Sequence, residues 1–271
     1  MKPYIKKSIV LLTVLAVFTV FSYAGIEWTT SIKTVGKGKK DSNEIDTQTF
    51  AQGGNVKQVF KGVAREDMFH FQDGYWLYKS DEDNIYIVNE KKYNYMVISL
   101  DGMLQMTGML GSLVKIEILD HSINAEVLPE ETILGFPCNH LKVTTDYTMK
   151  IKIAFIKKTM RVHEEKEIWG SDKIPGLSDI SAAFLKKDVK TGIPDLDDMV
   201  QKQMEQQKKI GFPLQVITHT SQLDKKGKVS GETTTTMTVT KIEKKDFPAS
   251  FFEIPANYDR VEGPWEKNKL F

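Results

Sequence analysis

The clearest pattern in the chain is an alternation. From Leu141 to Phe155 the odd positions carry Leu141, Val143, Tyr147, Met149, Ile151, Ile153 and Phe155, broken only by Thr145. The even positions read Lys142, Thr144, Asp146, Thr148, Lys150 and Lys152 before Ala154. Successive side chains of a strand point to opposite faces, so this spacing predicts a strand with one dry and one wet face. At roughly 3.3 Å per residue the run would span about 50 Å, taller than most flat sheets. A strand of that length bends or coils within a strongly curved sheet, or it conceals a turn.

Other segments share the style. Ile26 to Lys33, Val56 to Phe60, Met68 to Phe71, Trp76 to Lys79, Asn84 to Val88 and Tyr93 to Ser99 read as short strands. Asp73-Gly74 and Asp81 to Asn84 supply turns between them. This is a meander of closely spaced antiparallel strands, rich in aromatic and β-branched residues. Val114 to Leu119 precedes the long strand. Phe212 to Leu223 and Thr233 to Ile242 flank Asp224 to Lys228, a predicted hairpin turn.

Two segments have helical spacing. Pro194 to Ile210 places Asp195, Asp197 and Asp198 in its first turn and Lys208 and Lys209 in its last, with Gly211 as the stop. Leu196, Met199, Val200 and Met204 form a narrow apolar stripe, enough to lie on a sheet. Asp179 to Lys187 is the shorter candidate. Met103 to Gly111 is apolar and glycine-broken, a short helix or a loop. Leu134-Gly135-Phe136-Pro137 and Ile210-Gly211-Phe212-Pro213 echo each other, and both read as turns entering a strand. The fold class expected is mainly β with minor α: a strongly curved antiparallel sheet forming a half-open barrel, covered by a few helices.

The beginning of the chain changes the setting. Lys2, Lys6 and Lys7 precede an uncharged, mostly apolar run from Ile9 to Phe21 and the tripeptide Ser22-Tyr23-Ala24. That is the layout of a secretory signal cut after Ala24, too short for a comfortable membrane span. No cysteine lies near the cut to take a lipid anchor, so the expectation is a periplasmic or secreted protein with no permanent membrane anchor. The domain layout follows: a signal peptide at 1–24, a single β domain at 25–262 with a helical insertion near 177–210, and a tail at 263–271.

Charge adds little. With 37 Lys and Arg against 36 Asp and Glu, intermixed along the chain, the net charge makes no case for nucleic acid or for anionic membrane as a partner. Cys138 is the sole cysteine. The domain must fold without an internal disulfide, and an unpaired thiol in an oxidising compartment is read as a buried small hydrophobe.

Candidate chemistry is sparse. The histidines 70, 121, 140, 163 and 219 form no paired helical metal motif, and no Cys-x-x-Cys is present. Cys138 and His140, two apart on one strand face, would make a soft metal site only if His163 joined them from a neighbouring strand. A nucleophile elbow and a phosphate-cradling loop are absent. Glu164, Glu165 and Glu167 have Lys and Arg as neighbours, the texture of a salt-laced strand rather than of a carboxylate pair for glycoside chemistry. No enzyme, no metal and no cofactor are expected.

Apolar features remain. The concave face of a single curved sheet needs a cover, and this chain offers few helices to supply it. A pocket lined by Phe69, Phe71, Trp76, Tyr86, Tyr95 and Tyr147, with Met96, Met103, Met106 and Met109 as an adaptable lid, would suit a flexible apolar ligand.

Gly135-Phe136-Pro137-Cys138 entering a strand, the strand end Glu167-Ile168-Trp169, and the closing Phe247-Pro248, Phe252-Glu253-Ile254-Pro255 and Tyr258 occur in an order that resembles a family of exported bacterial domains of unknown function. The aspartate and tyrosine texture from Asp83 to Tyr95 is similar as well, and the likeness covers most of Gly25 to Val261. More distantly, that family resembles the periplasmic lipoprotein carrier LolA. The resemblance implies a half-open β-barrel whose concave apolar face is covered by helices and receives acyl chains; it transfers no ligand residue. The expected function is an exported envelope protein that binds a hydrophobic small molecule, a lipid or a lipidated protein. The alternative is a non-catalytic structural or sensing module that binds another envelope protein.

Overall fold

The computed structural model describes residues 25–36, 42–61, 74–82, 84–99, 114–153, 156–177, 194–224 and 226–263. Their strands form a single sheet. The first wing contains β1 (Ile26–Gly36), β2 (Asn43–Gln52), β3 (Asn55–Lys61), β4 (Gly74–Lys79), β5 (Asn84–Asn89) and β6 (Asn94–Ser99). The second contains β7 (Val114–Ile133), β8 (Phe136–Ile153), β9 (Ile156–Ser171), β10 (Phe212–Leu223) and β11 (Val229–Lys244), and β12 (Asp259–Arg260) closes the series.

The strand order is β12-β6-β5-β4-β3-β2-β1-β11-β10-β9-β8-β7. Each wing is therefore an antiparallel meander, and the two are zipped together where β1 pairs with β11. Among the described strands only the β12–β6 pairing is parallel. The order ends at β7 and β12 without joining, so the sheet is open and mainly β, as its alternation predicts.

The long strand is real and extends from Phe136 to Ile153 without a turn. Its neighbour β7 is longer than the expected Val114 to Leu119, reaching Ile133. Register shifts between Leu119 and Ser122 and between Leu128 and Glu131 break its alternation. Bulges of this kind bend a strand and raise its twist, which is how so long a ladder avoids being flat. Further shifts occur in β10 between Pro213 and Gln215 and in the β1–β11 pairing at Thr29/Thr30.

The helix α1 (Pro194–Lys208) has Asp195 and Asp197 in its first turn, Lys208 in its last and Met199 buried beneath it. It packs against β7. Gly211, at φ 87°, turns the chain into β10. Among the described residues no helix is long and apolar enough to cross a membrane. The expected strand at Met68 to Phe71, the helix at Asp179 to Lys187 and the segment Met103 to Gly111 lie outside the described residues.

The C-terminal segment covers one face of the first wing. Phe247 and Phe252 pack with Phe50, Tyr75, Leu77 and Val88, and Phe251, Ile254 and Tyr258 join from the rim. A 3-10 turn (Ala249–Phe252) places three phenylalanines side by side, with ring centroids 4.9 to 5.9 Å apart. The closing motif noted in the sequence is thus a cover for the sheet.

Candidate functional site

Register decides which side chains share a face. Trp76 lies opposite Ile87 of β5 and Gln58 of β3, Gln58 opposite Thr49 of β2, and Thr49 opposite Trp28 of β1. Further along β1, Ile32 lies opposite Met237, which faces Val216, then Ile168, then Leu141 of β8. One face of the sheet therefore runs from Met96 and Ile98 on β6 to Tyr147, Met149 and Leu141 on β8. It carries the cluster Ile85, Ile87 and Ile98 with Trp76, Tyr78 and Met96. At the other wing it carries Leu141, Val143 and Ile168 with Ile210, Ile123 and Val216.

Polar groups are set into this apolar face at a few points. Thr30, Thr47 and Thr49 are buried at its centre, and Thr49 Oγ1 accepts a bond from Gln58 Nε2 at 3.4 Å. Thr47 is 2% exposed, and its hydroxyl has no hydrogen-bond partner among the described residues. On β8, Thr145 is 1% exposed and accepts a bond from Gln203 of α1 at 3.2 Å, so the helix lies over this face. Opposite Thr145 stands Glu164, whose carboxylate pairs with Lys166 at 3.1 Å. Burial, and then the charge of Glu164, push the Tyr147 hydroxyl pKa up.

The sequence groups Glu164 with Glu165 and Glu167, but the strand separates them. Glu165 and Glu167 face the opposite side, where Lys142 and His140 meet them at 3.2 Å. The sequence signal that sets this pair apart from Glu165 and Glu167 is parity along β9.

The expected ligand set is split in the same way. Trp76 and Tyr147 share the face just described, separated in the sheet order by β3, β2, β1, β11, β10 and β9. Tyr86 and Tyr95, with ring centroids 5.9 Å apart, lie on the other face beneath the C-terminal segment. Phe69, Phe71, Met103, Met106 and Met109 lie outside the described residues.

The soft metal arrangement does not assemble. His140 lies opposite Trp169 and stacks on it at 4.1 Å, whereas His163 lies opposite Asp146, six residues further along β8 and bonded to it at 2.7 Å. At about 3.3 Å per residue that separation is about 20 Å. Cys138 is fully buried, its thiol donates to the Phe136 carbonyl at 3.4 Å, and burial raises its pKa. Among the described residues no group of three or more His, Cys, Asp and Glu is placed to hold a metal ion.

The family model described as Domain of unknown function (DUF4412) matches residues 73–258. No curated protein matches the chain. Among solved structures, it is similar to the Mycobacterium tuberculosis lipoprotein LppX at 12% identity and a TM-score of 0.29, covering 86% of this chain and 93% of that one. A domain from Vibrio parahaemolyticus described as an outer membrane lipoprotein-sorting protein gives 8% identity and 0.21, over 86% and 91%. A DUF1329 family protein from Desulfovibrio piger gives 9% and 0.19, over 89% and 94%.

Proposed function

The chain belongs to the DUF4412 family of domains of unknown function, and we propose that it is a soluble exported envelope protein that holds a hydrophobic ligand on the sheet face carrying Trp76 and Tyr147. The ligand class is a lipid, an acyl chain or the anchor of a lipidated protein. One observation carries the reading: two apolar clusters, Ile85, Ile87 and Ile98 on one wing and Leu141, Val143 and Ile168 on the other, share one face across a threonine-lined centre, in a sheet whose strand order does not close. Binding sites for apolar ligands are lined mainly by such hydrophobic and aromatic side chains with a few polar groups set among them. Half-buried Trp76, Tyr78, Met96 and Met149 offer broad, adaptable contacts to a flexible chain. Each methylene buried there would contribute about 0.8 kcal/mol, so a modest length of acyl chain gives useful affinity. The charged pair on this face, Glu164 with Lys166, satisfies itself, which supports binding over catalysis.

Native mass spectrometry of protein purified from its own envelope tests the reading. Masses in the lipid range should leave the protein on activation, and brominated fatty acids should quench tryptophan emission through Trp76 and Trp28. A protein that carries no lipid and shows no quenching would count against it.

A second reading has one feature in its favour. β7, a strand of 20 residues, forms an open edge of the sheet, where a partner protein could add a strand. Crosslinking from Val127, which is 81% exposed on that strand, to a single envelope protein would favour this alternative.

A further inference from the structure

At the closed end of the β8–β9 hairpin the two strands put lysines opposite each other. Lys152 lies across from Lys157 of β9, and on its other side across from Lys115 of β7. Three lysine positions therefore form a row across three adjacent strands. Lys150 flanks it on the same face and Lys158, opposite Ile151, lies on the other face at the same end; Lys150, Lys152, Lys157 and Lys158 are all exposed. These four line a cleft of about 290 Å³ with Thr159 and Glu117. None of the four has a carboxylate within ion-pair distance among the described residues, whereas Lys142 and Lys166 further along the same strands are each paired.

Like charges placed directly opposite on neighbouring strands are destabilising. Lys152 and Lys157 break this rule, with Glu117 placed opposite Lys150 and not opposite either of them, and breaks of this kind are expected at functional sites. With strands about 4.8 Å apart, the row spans about 10 Å, wider than one small anion and comparable to adjacent headgroups. The sequence alternates Lys150-Ile151-Lys152-Ile153, and lysine can lay its stem on apolar surface while its ammonium reaches out.

We propose that this hairpin end docks the protein on membranes rich in anionic phospholipid, with Lys150, Lys152, Lys157 and Lys158 meeting the headgroup phosphates. The inference goes beyond the ligand reading and does not depend on it, because docking is assigned to the lysines of the hairpin end, of which Lys158 alone falls on the apolar face, at its margin.

Sedimentation of the purified protein with vesicles tests the docking. It should bind vesicles of phosphatidylglycerol in phosphatidylcholine, release as salt rises, and ignore pure phosphatidylcholine. One lysine near an anionic surface is worth about fivefold in binding, so replacing all four by glutamine should weaken it more than tenfold. K226Q with K228Q, in the β10–β11 turn, should stay within twofold. A thermal melt checks the fold of the fourfold variant, and the corresponding lysine-to-arginine variant should bind like the parent. Equal binding by the glutamine variant, equal binding to neutral vesicles, or loss of binding when millimolar inorganic phosphate is added at constant ionic strength would each overturn the proposal. Capture of an acidic protein through these lysines without vesicle binding would overturn it too. Binding is read whether or not the protein carries lipid, so failure here leaves the ligand reading standing and the reverse holds.

Discussion

The Gln52 carboxamide holds both backbone hydrogen-bonding groups of Phe247. Its Nε2 donates to the Phe247 carbonyl at 3.0 Å, and the Phe247 N–H donates to its Oε1 at 2.8 Å. The last residue of β2 thus fixes the first aromatic of the C-terminal cover, beside Phe50, whose ring meets Phe247 at 5.4 Å. Gln52→Ala would leave a donor and an acceptor unmatched in a part-buried place and should cost about 1–3 kcal/mol. Urea unfolding reads this as a lower midpoint at constant slope. An unchanged midpoint would mean that the rings alone secure the segment.

The paired turns at Gly135 and Gly211 look alike in sequence but differ in their room for a side chain. Both have positive φ, 81° and 87°. A Cβ on Gly135 would meet nothing within 4 Å, whereas one on Gly211 would lie 2.6 Å from backbone atoms of Ser171 and Asp172. Gly135→Ala should therefore cost only the conformational penalty, about 1–2 kcal/mol. Gly211→Ala must also displace backbone and should be clearly worse, by denaturant titration of the two variants side by side. Equal losses would show that the β9–β10 junction yields easily.

At alkaline pH the folded protein should retain protonated tyrosines. Burial, and then the bond its hydroxyl donates to Glu82, push Tyr86 up to about 12. The folded value exceeds the unfolded value of about 10, so this stabilisation is complete below pH 10 and is lost as pH rises through about 12. Absorbance titration at the phenolate band should show a group ionising near pH 12 that disappears in Tyr86→Phe. A tyrosine in that position ionising near pH 10 would refute the coupling to Glu82.

Which parts of the fold were legible follows from how each strand meets its neighbours. β8 announced itself because its dry face is aliphatic along most of its length. β2 did not, because it buries Thr47 and Thr49, which read as polar, on one face and Phe50 on the other, so no apolar alternation marks it. Charge on both faces hides β9: Glu164 and Lys166 pair on the apolar face while Glu165 and Glu167 lie on the other. β7 lost its alternation at two bulges. Residue type carries no face, so composition alone groups the aromatic set into one pocket. Trp76 and Tyr86 separate only once Trp76 is known to lie opposite Ile87 and Tyr86 opposite Leu77.

That separation gives the sharpest test of the binding face. Trp76 belongs to the apolar face with Ile85, Ile87 and Met96, while Tyr95 belongs to the side closed by Phe247 and Phe252. Truncating a large ring at a lipid contact removes about 1.5–3 kcal/mol of burial, roughly tenfold or more in affinity. Trp76→Ala should therefore weaken binding of a fluorescent acyl-chain probe by at least tenfold per folded molecule. Tyr95→Ala should lower stability by loosening the C-terminal cover and leave probe affinity per folded molecule unchanged. The folded fraction is fixed by circular dichroism in the same samples, so stability and affinity are read apart. If Tyr95→Ala loses the probe and Trp76→Ala keeps it, the ligand lies under the C-terminal segment and the proposed face is the wrong one.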